Sequence, residues 1–352
     1  MKLKKQAAIV LGAAALMSAA GPVSAEAKVS FYGLLDLWAG SAGNKTTGDD
    51  TLKMDAGGMA TSFLGFKASM DLTPGITGIA AAEMFFRPDN AEDGRYGGDE
   101  FFARSAYIGA TGDFGTLKAG RNTAPYYLPV VFSNSLGGSF TFSPSILHSF
   151  QGGNYGPIMG DSGWSNSLAY TTPEMGGLTA TLMYAFGEEE DEHGENKVGG
   201  NAVYRNGKFM ATVAAHSVKQ GALAVGDVSA GEYGAIPDAT DQDAVMVGVA
   251  YDFDIIKLFA QYQNLATDTL NGDVDTDTYV FSFAVPAGGG SVLGSYGYSD
   301  FTGAWETERD TWSVAYSYPL AKQLDLYAVF MHDDVEIIGD ADSYGVGAQF
   351  RF

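Results

Sequence analysis

No cysteine occurs in the 352 residues. Disulfide-stapled secreted scaffolds are therefore excluded, and stability must come from elsewhere. Basic residues are scarce: 20 Lys and Arg stand against 42 Asp and Glu, a formal net charge of −22. Phosphate binding needs clustered Lys and Arg, so nucleic acid is not an expected partner. Hydrophobic residues make up 46% of the chain. Even so, beyond the first 25 residues no apolar run approaches the roughly 20 residues a membrane helix requires, and helical spans are excluded. Catalytic signatures are missing as well. His148, His193, His216 and His332 are scattered, and neither G-x-S-x-G nor H-E-x-x-H occurs. No catalytic residue, metal ligand or cofactor is assigned.

What is present begins with Lys2, Lys4 and Lys5, an apolar run, and Val23-Ser24-Ala25 before Glu26. This is the pattern of a secretory signal peptide cut after Ala25. Cleavage removes three lysines and no acid, which moves the net charge from −22 to −25. The 47 glycines, 19 tyrosines and 22 phenylalanines favour an all-β chain rich in turns. The last ten residues, "SYGVGAQFRF", alternate: Tyr344, Val346, Ala348, Phe350 and Phe352 share one face, and Ser343, Gly345, Gly347, Gln349 and Arg351 the other. Similar alternation recurs from Lys28 onward, for example at Trp312, Val314, Tyr316 and Tyr318. It predicts strands near 28–39, 60–71, 76–87, 100–111, 115–121, 164–172, 177–187, 196–205, 208–219, 243–253, 256–264, 275–286, 290–301, 308–318, 322–333 and 342–352. Sixteen is an even number, and short turns such as "LTPG" and "TGDFG" alternate with longer polar loops, as in an up-and-down transmembrane barrel. A soluble sandwich would carry many charges on its outer faces. Here charge gathers in loops and at strand ends, and in lipid only a closed barrel satisfies every backbone group of a sheet.

"KVSFYGLLDLWAG" (28–40), "TSFLGFKASMDL" (61–72), "FFARSAYIGATGDFGTLKAGRNTAPYY" (101–127) and "NSLAYTTPEMGGLTATLMYAFG" (166–187) resemble, in the same order along the chain, the general trimeric porins of Gram-negative outer membranes. Residues from about 220 to 340 agree only in periodicity. The resemblance implies a sixteen-stranded antiparallel barrel over 26–352, assembled as a homotrimer among outer-membrane lipids and lipopolysaccharide, with a long third loop folded into the lumen. It implies passage of small hydrophilic solutes. It also implies that Phe352 is the signal read by the barrel-assembly machinery.

Segment 122–160 is by far the longest connection, and an ordered loop of that length is usually functional. It is expected to be the constriction loop, and it contains no Asp, Glu, Lys or Arg. Family members commonly set acids on this loop against arginines on the opposite wall. Arg104 and Arg121 occupy matching basic positions, whereas Phe63 and Ala169 stand where arginines are common. A weakened transverse field follows, with Asp161 as a partial acidic side. By parity the lumen-facing charges include Asp36, Lys67, Glu83, Arg87 and Arg104. Lys118 and Arg121 have opposite parity, so unless a bulge at Gly120 shifts the phase only one points inward, and Arg121 is favoured. Acidic vestibules on a strongly negative chain predict a modest cation preference. A channel specific for a solute such as a sugar is the alternative, and a barrel hydrolase a further one. "EEEDEHGE" (188–195) and "DVDTD" (273–277) read as solvated acidic tips; the second lacks the Gly and Glu of an EF-hand loop.

Overall fold

The computed structural model describes residues 26–150, 160–187, 196–219 and 239–352. The signal peptide and the acidic tip 188–195 lie outside the described residues. The strands are β1 (Lys28–Gly43), β2 (Asp50–Ala56), β3 (Phe63–Thr73), β4 (Ile76–Arg87), β5 (Glu92–Asp93), β6 (Ser105–Gly112), β7 (Gly115–Thr123), β8 (Gly163–Thr171), β9 (Leu178–Ala185), β10 (Lys197–Asn206), β11 (Phe209–Val218), β12 (Ala239–Asp252), β13 (Lys257–Thr269), β14 (Val274–Ala287), β15 (Gly290–Gly303), β16 (Thr307–Ala321), β17 (Leu324–Val335) and β18 (Gly339–Arg351).

Sixteen of these form a closed antiparallel barrel, each of the sixteen segments expected from alternation falling on one of them. The ring closes where β1 pairs with β18, from Leu34 opposite Arg351 to Ser41 opposite Tyr344. Beyond the end of that ladder, the amide of Gly33 donates to the carbonyl of Phe352 at 3.0 Å, and the Phe352 amide donates back at 3.2 Å. A side chain at Gly33 would meet the Phe63 carbonyl at 2.7 Å and the Phe352 ring at 2.8 Å, so only hydrogen fits at this seam. Closure leaves no open edge, which is what a sheet needs in hydrocarbon.

Two strands lie outside the expected set. β2 extends the edge of β1 above the point where β3 leaves it, Leu37 pairing with Ala56 and Leu34 with Phe63. The two-residue β5 caps the end of β4. Neither repeats the ten-residue alternation, so periodicity passes over both.

The two faces differ as alternation demands. Phe31, Phe66, Ile108, Leu182, Val247, Phe281, Val314 and Val346 are exposed on the outside, while Gln263, Thr278, Ser299, Thr311 and Ser313 on the inside are buried. The inside is covered because the segment between β7 and β8 enters the barrel. Its helices α1 (Tyr127–Phe132) and α2 (Pro144–Ser149) pack against β11, β12, β14, β15 and β16. The largest buried apolar cluster, with Tyr126, Val130, Phe140, Ile146 and Phe150, joins this loop to Ala214, Ala244, Met246 and Leu265 of the wall.

Candidate functional site

The inserted loop is held by a neutral polar wall. Tyr126 donates to Gln263 Oε1 at 2.8 Å, Gln263 Nε2 donates to Ser149 Oγ at 2.7 Å, and Gln261 Nε2 donates to Ser145 Oγ. The hydroxyls of Ser139 and Thr141 donate to the carbonyls of Gly58 and Gly57 at 2.6 and 3.0 Å. His148 sits between Ser299 (Nδ1, 2.6 Å) and Thr311 (Nε2, 2.8 Å), and Thr311 donates to Asp333 at 2.6 Å. Asp333 also binds Arg309 through two bonds of 2.9 Å and pairs with Lys45. Arg309 in turn donates to the Leu147 carbonyl at 3.2 Å. Burial, and then the nearby Arg309, push His148 well below the ordinary imidazole range, so it is neutral. His148, Ser299 and Thr311 are fully buried, which leaves this Ser–His pair no access to a substrate.

Opposite the loop lies a basic wall. Tyr32, Lys67, Glu83 and Tyr107 share the inner face of β1, β3, β4 and β6. Glu83 accepts from Tyr32 and from Arg104, whose guanidinium lies 3.8 Å from the centre of the Phe63 ring. The Lys67 ammonium lies 4.9 Å over Tyr32 and that of Lys118 4.4 Å over Tyr107. Farther round the barrel, Arg205 lies 4.7 Å over Phe132 of α1. Arg104 precedes β6 at the rim of long loops, and Arg205 is two residues from the short turn after β10. The pairs are spread along the pore and not gathered in one ring.

Arg104 owes its inward direction to its place just outside β6 and not to parity, since it shares even numbering with outward Ile108. Lys118 stands opposite Gly109, in phase with Tyr107, so the expectation that favoured Arg121 over Lys118 is corrected. The irregularity is real but lies on β8, where the partners step from Ser167 to Trp164 as β7 steps from Gly120 to Asn122. Arg121 is turned to Asp161 at 3.0 Å, to Ser165 at 3.0 Å and to the Ala103 carbonyl.

Asp161 is not a free acidic side for the pore. Arg95 donates to it at 2.7 Å while also forking onto Asp99 at 2.9 and 3.1 Å. Burial would raise the Asp161 carboxyl, but Arg95 and Arg121 outweigh it and hold the group well below the usual carboxylate range. Asp36 likewise faces inward without lining the pore. Fully buried, it accepts from the amides of Gly58, Met59 and Ala60 at 3.0, 3.0 and 2.9 Å, from Tyr327 at 2.6 Å and from Gln349 at 3.1 Å. It ties the β2–β3 connection, on which the inserted loop rests, to the closing seam. Arg87 pairs with Glu92 at 2.6 Å. Of the seven expected pore charges, Lys67, Glu83 and Arg104 form the inner wall, and the other four are anchors at its edges.

Sequence reasoning missed Arg95, Arg205 and the Lys45–Arg309–Asp333 cluster. Parity would have found Arg205, Arg309 and Asp333; beyond Asp99 four residues on, nothing local marks the site role of Arg95, whose shared partner Asp161 lies 66 residues away, or of Lys45, whose partner Asp333 lies 288 away. Asp275 and Asp277 of "DVDTD" share the outer face with Tyr279, and Asp277 accepts from Tyr262 at 2.6 Å and Asn264 at 3.0 Å. Among the described residues no group of three or more His, Cys, Asp or Glu is arranged to hold a metal ion.

The chain is similar to outer membrane porin protein 32 of Delftia acidovorans, 27% identical across 93% of this chain and 90% of that protein. It is similar also to the chitoporin of Vibrio furnissii, 26% identical across 89% of this chain and 77% of that protein. Among solved structures it resembles an anion-selective porin from Comamonas acidovorans, with a TM-score of 0.73 at 22% identity, covering 93% of this chain and 100% of that one. The trimer form of OmpT from Vibrio cholerae gives 0.66 at 14% identity, covering 93% and 99%. Both structural likenesses concern the fold. A family model described as Gram-negative porin matches residues 12–337. With that match spanning most of a closed, outwardly apolar barrel, the chain belongs to the Gram-negative porins, integral β-barrels of the outer membrane.

Proposed function

We propose that the chain assembles as a homotrimer of water-filled pores through which small hydrophilic solutes and ions diffuse passively, with loop 124–162 setting the width and the basic wall setting a preference for anions. The sign of the uncompensated charge carries this reading. Lys67, Lys118 and Arg205 have no ion-pair partner among the described residues, Glu83 is compensated by Arg104, and the inserted loop is uncharged over 124–150. The net charge of −22 argues for cations only if it lies along the path. Asp277, Asp310 and Asp342 lie instead on the outer face, bonded to Tyr262, Tyr296 and His332. Screening at 0.1 M salt extends about 10 Å, so the nearest wall charges dominate in a narrow pore. The similarity to a porin described as anion-selective and to one solved as a trimer fits this reading.

The outward acids at the long-loop rim suit contact with lipopolysaccharide through bridging cations, and Phe352 suits recognition by the assembly machinery. Reversal potentials under a salt gradient in planar bilayers test the pore reading. Anion preference that strengthens as salt is lowered is expected, whereas cation preference, or negligible conductance from folded trimers, contradicts it.

A further inference from the structure

The lumen side of the inserted loop is apolar where a water-filled pore should need it least. On α1, Tyr127, Leu128, Val131 and Phe132 lie on one face, at the spacing i, i+1, i+4, i+5. Leu128 is 40% exposed and Val131 and Phe132 are partly exposed, Tyr127 and the inner side of Val131 being packed against the loop's own cluster at Phe140 and Phe150, while Pro129 and Val130 on the other face are buried. Exposed apolar side chains on a loop held inside the barrel face the solute path and not lipid. Phe132 is in contact with Arg205 at 4.7 Å, and Arg205 is itself exposed with no ion-pair partner among the described residues. Across the pore the same chemistry repeats, with Arg104 over Phe63, Lys67 over Tyr32 and Lys118 over Tyr107. An inorganic anion would use only the cations. A solute with a flat apolar body and one carboxylate would use both, its ring against Leu128, Val131 and Phe132 and its charge against Arg205 or the opposite wall.

We propose that the α1 face and Arg205 form a transit site for aromatic monocarboxylates, which this pore passes in preference to apolar-poor anions of equal charge. The proposal rests on the anion preference above and adds the class of anion. Its test compares sodium benzoate with sodium acetate as blockers of chloride current through single pores in planar bilayers. Benzoate is expected to produce half-maximal block at a roughly tenfold lower concentration, as burial of part of a phenyl ring against apolar surface implies. The double variant Leu128→Ser, Val131→Ser is expected to bring benzoate to the potency of acetate, and Arg205→Gln to weaken both. If the double variant does not assemble, Leu128→Ser alone, at an exposed position, reads the same quantity. Equal potency of the two acids in the native pore, or a benzoate advantage that survives these substitutions, overturns the proposal. A cation-selective reversal potential in plain salt would instead overturn the anion reading beneath it.

Discussion

At the scale of single residues, charged groups in this barrel divide into anchors and free charges, and the anchors are the ones taken out of water. Asp161 holds Arg95 of the β5–β6 connection and Arg121 of β7, and hydrogen bonds to charged groups are each worth roughly 1.5–3 kcal/mol. Because its carboxyl is depressed in the folded protein, the stabilisation is complete above the usual carboxylate range and is lost as pH falls through the folded pKa. Asp161→Asn is therefore expected to raise open-channel current noise at neutral pH, and to remove the further rise that strong acid causes in the native pore. His148 has the same sign for a different reason. Kept neutral by burial, it favours the docked loop above its ordinary pKa of about 6.5, and docking weakens below that by up to about 1.4 kcal/mol per pH unit. Between pH 7 and pH 5 the native pore should show growing loop fluctuation in single-channel records; His148→Gln should flatten that dependence. A pH-independent native record would count against the tether.

Among the elements, the seam and the inserted loop are the two that local sequence cannot replace. Gly33 is an ordinary strand position by parity, yet the seam needs it bare. Gly33→Val is expected to lower the yield of heat-modifiable barrel on gels, with folded protein at native yield as the contrary outcome. Deleting 128–147 should enlarge single-channel conductance, because the wall that this stretch covers would then face water; unchanged conductance would show that the constriction lies elsewhere. Alternation makes the sixteen barrel strands legible in the sequence, since each must present lipid on one side and water or loop on the other. It is silent on β2, which is short and pairs only with β1, and misplaces the start of β6, where Phe101, Phe102 and Ala103 continue an apolar pattern outside the ladder. Lys118 keeps the regular phase of the β6–β7 ladder, which runs unbroken from Ala106 opposite Arg121 to Gly112 opposite Gly115, while the extra residue sits in β8, around Asn166 with its φ of 53°, and so leaves the parity along β7 unchanged.

For the whole molecule, the lesson is that net charge and pore charge are separate quantities. The acids that make the chain −22 lie largely in loops, in anchoring pairs and on the outer rim, while Lys67, Lys118 and Arg205 on the inner face have no ion-pair partner among the described residues. Composition legibly gives the first quantity. The second needs the register that places Lys118 beside Tyr107 and the long-range pairs that neutralise Asp161, Asp333 and Glu83. The most direct measurement is the reversal potential of reconstituted pores in a potassium chloride gradient, taken for the native chain, for Lys67→Glu with Lys118→Glu, and for Asp277→Asn with Asp310→Asn. The native pore and the outer-rim variant should share the anion sign, and the inner-wall variant should move to the cation sign. A native pore selective for cations, or an inner-wall variant with an unmoved potential, would contradict the account.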